Sequence, residues 1–429
     1  MTLLNAQALQ AKAAMLFVVV FGVAVFSSTA LTNVAVLGLL LLAPFAWHYF
    51  LQSKQNIDQD IKLFWGLVFA LCLWDVITNL LNGVGVGASL KELVHDMRTF
   101  GFILVLWAVF ANALIAKLAF WAVFTTVLVL ASINLFLTLV GLVQQGQYFT
   151  SDYPFSQMSH MYGQALVGFI FVLAQIWLVK PKWSLRIAVP IILLLASLVL
   201  ASERRTGWIL LAAGFCVWGM LNAKRLFAGK HKWWLLGAVI AVVAVIISSD
   251  VVHRRMALAV AEFNEYLALS PIERSAAIFG SVSIRMQYAA TAWEAIQQSN
   301  WWIGVGSVGF PAAYQAAATV LDVTPDSWAR YNWGNPHNEY LYTLATKGVI
   351  GLILYLAIFG QACRVAWGKN DEVQRVGLVM FVFLFMLSIT TNSMMVDMEE
   401  GHFTMLILLV FLAPKSLHLV GRPSEATTP

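Results

Sequence analysis

Long apolar stretches, separated by short polar connections, make up most of the chain. A helix needs about 20 apolar residues to cross a bilayer, so these stretches predict membrane-spanning helices. We expect twelve, near residues 13–31, 33–51, 62–82, 98–114, 118–142, 161–179, 187–202, 206–222, 233–249, 337–362, 376–392 and 403–414. The predicted fold class is an all-α polytopic membrane protein in which residues 1–429 form a single membrane domain.

One long polar interval, residues 250–336, separates the ninth and tenth predicted spans. Two segments within it, "VVHRRMALAVAEFNEYLAL" and "SVSIRMQYAATAWEAIQQSN", carry apolar residues at helical spacing with charges on the other face. We expect amphipathic helices that lie along the membrane surface or cap the bundle. The aromatic, glycine-rich stretch "NWWIGVGSVGF" suits an interfacial cleft.

The basic residues predict the orientation, because short cytoplasmic loops are enriched in lysine and arginine. With the N-terminus cytoplasmic, the short outer loops hold only Lys91, Arg98, Arg204 and Arg205. The cytoplasmic side then holds Lys12, Lys54, Lys62, Lys117, Lys180, Lys182, Arg186, Lys224, Arg225, Lys230, Lys232, Arg364, Lys369, Arg375, Lys415 and Arg422. Both termini are expected in the cytoplasm and the 250–336 loop outside it. The net charge of +5 belongs to this pattern and does not indicate a nucleic-acid partner.

Composition excludes a soluble domain, because 60% of the residues are hydrophobic and only 11% are charged. The three cysteines, Cys72, Cys216 and Cys363, have no metal-ligand or redox spacing, so we interpret them as packed side chains. "GVGSVG" fits a dinucleotide-binding pattern but follows no predicted strand. No HExxH, P-loop or nucleophile elbow occurs, so we expect no metal, nucleotide or other cofactor.

Two arginine positions attract attention on the outer side. The short turn "ASERRTGW" carries Arg204 and Arg205 where the orientation rule disfavours them. They could bind lipid phosphates at a helix end, or they could form an anion site. Arg285, in "SVSIRMQYAATAW", fits either a solvent-facing arginine or a part of such a site.

The stretch "NPHNEYLYTLATKGVIG" places His337 before an apolar helix. Asn335 is a good N-cap and the proline after it a good first residue, so we expect His337 and Asn338 in the first helical turn. The positive end of the helix dipole would keep His337 neutral. Gly348 and the glycine three residues later share its face and would let a neighbouring helix pack closely. A surface histidine at a helix start remains an equal alternative.

These motifs resemble the O-antigen ligase and polymerase superfamily. In that pattern a His-Asn pair opens a transmembrane helix with a glycine about eleven residues on, as in "NPHNEYLYTLATKGVIGLILYL". Arg205 in "SERRTGWILL" and Arg285 in "SIRMQYAATAWEAIQQSNWWIGVGSVGF" hold the positions of the family's arginines. The resemblance covers roughly residues 200–360.

The resemblance implies a glycosyltransferase in the inner membrane of a bacterium, with its active site on the periplasmic face. The donor is a glycan on undecaprenyl pyrophosphate and the acceptor is lipid A–core, without a metal or nucleotide. His337 would be the catalytic base and Asn338 would position the acceptor or the histidine. Arg205 and Arg285, assisted by Arg204, would bind the pyrophosphate, and direct attack would invert the anomeric centre.

Several alternatives stay open at this point. Polymerases join repeat units on the same carrier, and protein O-oligosaccharyltransferases use serine or threonine acceptors and are usually longer. A chain that stops at 429 favours a ligase or polymerase, and the large loop before the His-Asn helix favours a ligase. A transporter also suits twelve spans, but its polar groups would gather near the membrane midplane. The roles of Asp75, His160, His253 and His402 are open.

Overall fold

The computed structural model describes residues 3–52, 57–139, 159–179, 185–201, 205–227, 250–270, 273–274, 280–323, 335–393 and 398–413. Most of these residues are helical, and none of them lies in a strand. The helices of eight or more residues and one short helix, numbered in chain order, are α1 (Leu3–Ala24), α2 (Thr29–Gln52), α3 (Gln59–Leu81), α4 (Val86–Asp96), α5 (Phe102–Phe110), α6 (Ala113–Leu139), α7 (Ser159–Val179), α8 (Leu185–Ala201), α9 (Arg205–Leu221), α10 (Ala223–Phe227), α11 (Asp250–Ala268), α12 (Ser281–Gln297), α13 (Phe310–Val320), α14 (Glu339–Trp367), α15 (Glu372–Ser388) and α16 (Met398–Phe411). A π-helical turn, Met97–Gly101, joins α4 to α5.

The apolar pattern located the helices well. Eleven of the predicted spans overlap a helix of the described residues, and the ninth, 233–249, lies outside them. Five described segments are long and apolar enough to cross a membrane: Thr29–Gln52, Gln59–Leu81, Val86–Phe110, Ala113–Ile133 and Glu339–Trp367. The chain is thus an all-α, multi-pass membrane protein. The count of twelve spans and the cytoplasmic termini stay predictions.

The last helix, α16, lies at the centre of the bundle. Residues 400–413 are all buried, and α16 packs against α5, α6 and α15. Helices nearer the outside, in contrast, expose apolar side chains such as Leu41, Phe45 and Phe69. Such exposure is what a helix facing lipid requires, because hydrocarbon and leucine are similarly apolar.

Helix α14 is interrupted at Gly348. This residue has φ +65° and ψ −171°, which no helix allows, so α14 consists of an outer piece, 339–347, and an inner piece, 349–367. A Cβ at Gly348 would collide with the backbone of Trp302 and Ile303. The close packing expected at this glycine therefore exists, but its neighbour is the loop 301–306 and not a helix.

The loop 301–306 satisfies the backbone groups that the break releases. The N–H groups of Val305 and Gly306 donate to the carbonyls of Ala345 and Thr346 at 2.8 and 2.9 Å. In return, the Val349 N–H donates to the Trp301 carbonyl at 2.8 Å. A broken helix is tolerated in a membrane protein when protein groups pair its freed backbone in this way.

The break also fixes the position of the histidine end. The inner piece has 19 residues and, at about 1.5 Å per residue, covers nearly the 30 Å of a hydrocarbon core alone. The outer piece has nine residues and does not continue the line of the inner piece. Glu339 and Tyr355, one from each piece, line the same cavity. The Glu339 N–H also bonds to Ile389 at the end of α15, so the residues before α14 are folded back beside the inner piece.

A buried charge cluster holds the break in place. Lys347 Nζ lies 2.8 Å from Asp75 Oδ1 and 3.5 Å from Asp96 Oδ2. The Trp74 indole N–H donates to the Lys347 carbonyl at 2.8 Å, and Ser307 of the glycine-rich loop donates to Asp75 Oδ2 at 2.9 Å. The polar residue expected inside the third span thus has its counter-ion on α14.

Candidate active site

His337 lies in a turn directly before α14. Its φ angle is +49°, and its backbone N–H donates to Asn335 Oδ1 at 2.8 Å. The helix begins at Glu339 with Asn338 as its N-cap. The expectation that His337 and Asn338 lie in the first turn was therefore wrong, because the Asn335 side chain forms a local turn that competes with the helix.

The Asn338 side chain is bonded to the protein's own backbone. Its oxygen accepts from the Leu341 N–H at 3.0 Å, and its NH2 group donates to the Thr390 carbonyl at 2.9 Å. The turn is also tied to the end of α15, since the Glu339 N–H donates to the Ile389 carbonyl at 3.0 Å. This geometry anchors the turn that carries the histidine, because both ends of the Asn338 amide are bonded to the protein's own backbone.

A buried pair of side chains orients the His337 ring. His337 Nδ1 lies 3.3 Å from Asn392 Oδ1, and Asn392 Nδ2 donates to Glu400 Oε2 at 3.0 Å. Asn392 and Glu400 are only 3% and 5% exposed. The sequence analysis did not predict a role for either residue. The one feature of the sequence that could have indicated them is the cluster of polar residues between two apolar spans.

This chain of hydrogen bonds selects the tautomer of His337. A carboxylate can only accept, so the Asn392 NH2 group faces Glu400 and its oxygen faces the ring. His337 Nδ1 then carries the hydrogen and Nε2 keeps its lone pair. Burial lowers the pKa of His337 below its usual range, while the hydrogen bond with Asn392 opposes this shift and the charge of Arg285 adds to it. This shift favours the neutral ring, with burial as its main cause.

Helix α12 covers the other side of the ring. The Tyr288 ring stacks on the His337 ring, with centroids 5.1 Å apart and an interplanar angle of 28°. Arg285 precedes Tyr288 by three residues, so the two share a helix face. Arg285 Nη1 also donates to Ser281 Oγ at 3.3 Å. One helix thus supplies both a platform for the histidine and a neighbouring cation.

Arg205, the first residue of α9, reaches the start of α12 through Glu262. Arg205 Nη1 lies 3.7 Å from Glu262 Oε2, and the same oxygen accepts from the Val282 N–H at 2.7 Å. This guanidinium nitrogen is buried and makes no hydrogen bond to any described residue. A buried donor without an acceptor is costly, so the site has capacity for an anionic ligand.

The two arginines are close enough to affect each other. Burial lowers the pKa of the Arg285 guanidinium, the positive charge of Arg205 lowers it further, and the negative charge of Glu262 opposes both. Arginine nevertheless stays protonated in proteins. The structure therefore brings Arg205, Arg285 and His337, far apart in sequence, to one end of the bundle. Arg204 lies outside the described residues.

Among the described residues, three carboxylates lie close enough together to hold a metal ion. Oxygens of Asp75, Glu92 and Asp96 lie within 4.8 Å of one another. Lys347 Nζ, however, contacts two of these carboxylates, so an ammonium group already supplies the positive charge there. The cluster therefore holds the helix break.

The remaining histidines differ in their surroundings. His402 is fully buried in α16 and makes an edge contact with Phe21. His253 is exposed on α11. His160 belongs to the first turn of α7, and its side chain is outside the described set.

Residues 190–356 match the O-Antigen ligase family. This match covers less than half of the chain and supports its membership of the O-antigen ligase superfamily. The O-antigen ligase match includes Arg205, Arg285 and His337 but ends before Asn392 and Glu400. No curated protein matches the sequence significantly. The match therefore supports the family and leaves open which member's reaction the protein catalyses.

Proposed function

We propose that the protein is an O-antigen ligase that transfers a polysaccharide from undecaprenyl pyrophosphate to lipid A–core. Membership of the superfamily supports a ligase or polymerase type of glycosyl transfer. The residues proposed to act are His337 as the catalytic base and Arg205, Arg285 and Arg204 as the pyrophosphate-binding group. The reaction takes place at the periplasmic face of the inner membrane of a bacterium, with both termini in the cytoplasm.

One observation carries the proposal: His337, whose Nε2 lone pair takes no part in the Asn392 contact, lies near the half-buried Arg285, whose charge acts on it. Arg205 in turn acts on Arg285. Arg205 Nη1 is buried without an acceptor among the described residues, and arginine binds phosphate oxygens through two parallel hydrogen bonds. A general base must be deprotonated at the working pH, and His337 meets this condition because burial lowers its pKa. A lipid pyrophosphate and an acceptor hydroxyl are the pair of reactants that this combination suits.

The proposed step is a single displacement. His337 Nε2 takes the proton of the acceptor hydroxyl while the oxygen forms a bond to the anomeric carbon. The bond between that carbon and the pyrophosphate oxygen breaks, and its electron pair leaves with the lipid pyrophosphate. The charges of Arg205 and Arg285 stabilise the departing group. Attack from the face opposite the leaving group inverts the anomeric centre.

The energy for this transfer resides in the bond between the sugar and the pyrophosphate, so the proposal needs neither a nucleotide nor a metal. The bilayer supplies the donor, whose polyprenyl tail lies between helices below the 250–336 loop. We propose that the helices of this loop, α11 and α12, cap the bundle, since α12 packs on α11 and α14. They would then enclose the pyrophosphate on the side away from the membrane.

The polymerase and the protein O-oligosaccharyltransferase share the donor half of this reaction and differ only in the acceptor. Purified protein is incubated with a labelled undecaprenyl-pyrophosphate glycan and, separately, lipid A–core, a second lipid-linked glycan, or a peptide with serine and threonine. Label on lipid A–core is the expected result. Label on the second lipid-linked glycan would instead indicate a polymerase, and label on the peptide a protein O-oligosaccharyltransferase. Movement of the labelled lipid between leaflets with no new glycan bond would indicate a transporter and refute all three.

A further inference from the structure

The carboxylate of Glu262 lies among the positive groups of the proposed pyrophosphate site. It is 7% exposed, and its Oε2 contacts both Arg205 Nη1 and the backbone N–H of Val282, the second residue of α12. A helix N-terminus carries a partial positive charge and attracts anions. The charge of Glu262 also acts on Arg285. One carboxylate therefore interacts with two guanidinium groups and a helix end.

Two further features hold the carboxylate there. Glu262 accepts a hydrogen bond from Ser283 Oγ through its own carbonyl at 2.9 Å, which fixes α11 against the start of α12. Gly280, just before α12, leaves space for the carboxylate, because a Cβ at this position would collide with Glu262 Cδ and Oε1. The atoms that a Cβ would meet are the end of a side chain and not backbone, so a ligand or a neighbouring group can move them while the helices stay in place.

The contact with Arg205 is nevertheless an imperfect one. Its length of 3.7 Å exceeds that of a hydrogen bond, and Arg205 Nη1 remains buried without an acceptor among the described residues. Glu262 thus compensates the charge of Arg205 but does not accept a hydrogen bond from its Nη1 group. A pyrophosphate has more charge and more acceptor oxygens than a carboxylate, and it could do both.

We propose that Glu262 is a resident anion that occupies the pyrophosphate position of the empty enzyme and that the donor displaces. This rests on the proposed function of Arg205 and Arg285. In the empty site the carboxylate keeps the two arginines from repelling each other. When the donor arrives, Glu262 moves off Val282 and the phosphate oxygens take its place. A weakly charged headgroup competes poorly with the carboxylate, so Glu262 favours a pyrophosphate over less charged lipids.

The test measures binding of farnesyl pyrophosphate, a short polyprenyl pyrophosphate, to the full-length protein in detergent. Glu262→Gln removes the charge and keeps an oxygen for the Val282 N–H, so it should tighten binding about tenfold or more. Glu265→Gln makes the same charge change on the exposed side of α11 and should alter binding less than about twofold. Thermal unfolding of each variant confirms that it is folded.

A second variant tests the displacement of Glu262 without changing the net charge of the site. Gly280→Ala pushes the Glu262 carboxylate away from the start of α12 and should also tighten binding of farnesyl pyrophosphate. Equal or weaker binding by folded Glu262→Gln or Gly280→Ala protein would overturn the proposal and show that Glu262 serves to hold Arg205. Arg285→Ala separates the two hypotheses: if it binds as tightly as wild type, the pyrophosphate assignment itself fails, whatever Glu262 does.

Discussion

At the scale of single residues, Asn392 determines what His337 can do chemically. Its amide oxygen faces Nδ1 because Glu400 takes its NH2 group, so the hydrogen stays on Nδ1 and the lone pair on Nε2. Without this contact the ring could turn, or it could carry its hydrogen on the wrong nitrogen. Asn392 is thus a positioning residue, and its role is separable from that of the base.

Replacing Asn392 by alanine should lower the turnover number by roughly tenfold or more, with little change in KM. The pH profile provides the sharper readout. The rate requires neutral His337 and therefore rises as pH increases through its pKa. The hydrogen bond with Asn392 raises that pKa, so its loss should move the acidic limb to lower pH. The exposed Asn264→Ala is the control, and a limb that stays in place in Asn392→Ala would contradict this role.

The sequence indicated the residues proposed to react but not those proposed to position them. Arg205, Arg285 and His337 stood out because polar groups beside membrane spans are rare, and their motifs matched a family. Asn392 and Glu262 carry no such motif. Asn392 meets His337 across 55 positions, and Glu262 meets Val282 across 20, so only tertiary packing brings them together. The same applies to Tyr288, which on sequence is an ordinary residue of an amphipathic helix.

At the scale of elements, the break in α14 explains why a glycine-rich loop and a buried ion pair occur together. The loop 301–306 pairs with the backbone released at Gly348, and Lys347 fixes the loop through Asp75 and Ser307. Hydrophobic periodicity predicted the helix but not the break, since the pattern continues across Gly348. The positive φ there depends on a partner that is 46 residues away in sequence.

Gly348→Ala should destabilise the protein by at least about 1–3 kcal/mol, because alanine is strained at φ +65° and its Cβ collides with Trp302. Gly360 lies in the same helix with open space around it. Gly360→Ala should be neutral or stabilise by up to about 1 kcal/mol. Thermal unfolding in detergent compares the two, and equal midpoints would mean that the break is absent.

Two ion pairs between α3 and α14 offer a second matched comparison. Lys347–Asp75 is buried, with 9% and 0% of the side chains exposed, whereas Arg364–Asp60 is exposed by 69% and 33%. Lys347→Met leaves a buried carboxylate unpaired and should cost about 3–5 kcal/mol. Arg364→Met should cost less than about 1 kcal/mol. Similar losses in the two variants would refute the bracing role of Lys347.

At the scale of the whole molecule, the break determines where the site lies relative to the apolar bundle. The inner piece of α14 is long enough to cross nearly the whole hydrocarbon core, and the outer piece is folded back beside it, so that Glu339 and Tyr355 line one cavity. The His337 turn is thereby held at the end of α15, where the Glu339 N–H donates to the Ile389 carbonyl, and Tyr288 of α12 stacks on its ring. Apolar patterning predicted the bundle, whereas this placement of the histidine depends on the break.

The most direct test of the central claim is glycan transfer by purified His337→Ala protein, from undecaprenyl-pyrophosphate-linked glycan to lipid A–core. The exposed His253→Ala serves as control, and the unfolding midpoint and membrane insertion of both variants are checked first. Loss of a general base should reduce turnover at least about 100-fold, while His253→Ala transfers at the wild-type rate. Near-normal turnover by folded His337→Ala protein would contradict the assignment of His337 as the catalytic base.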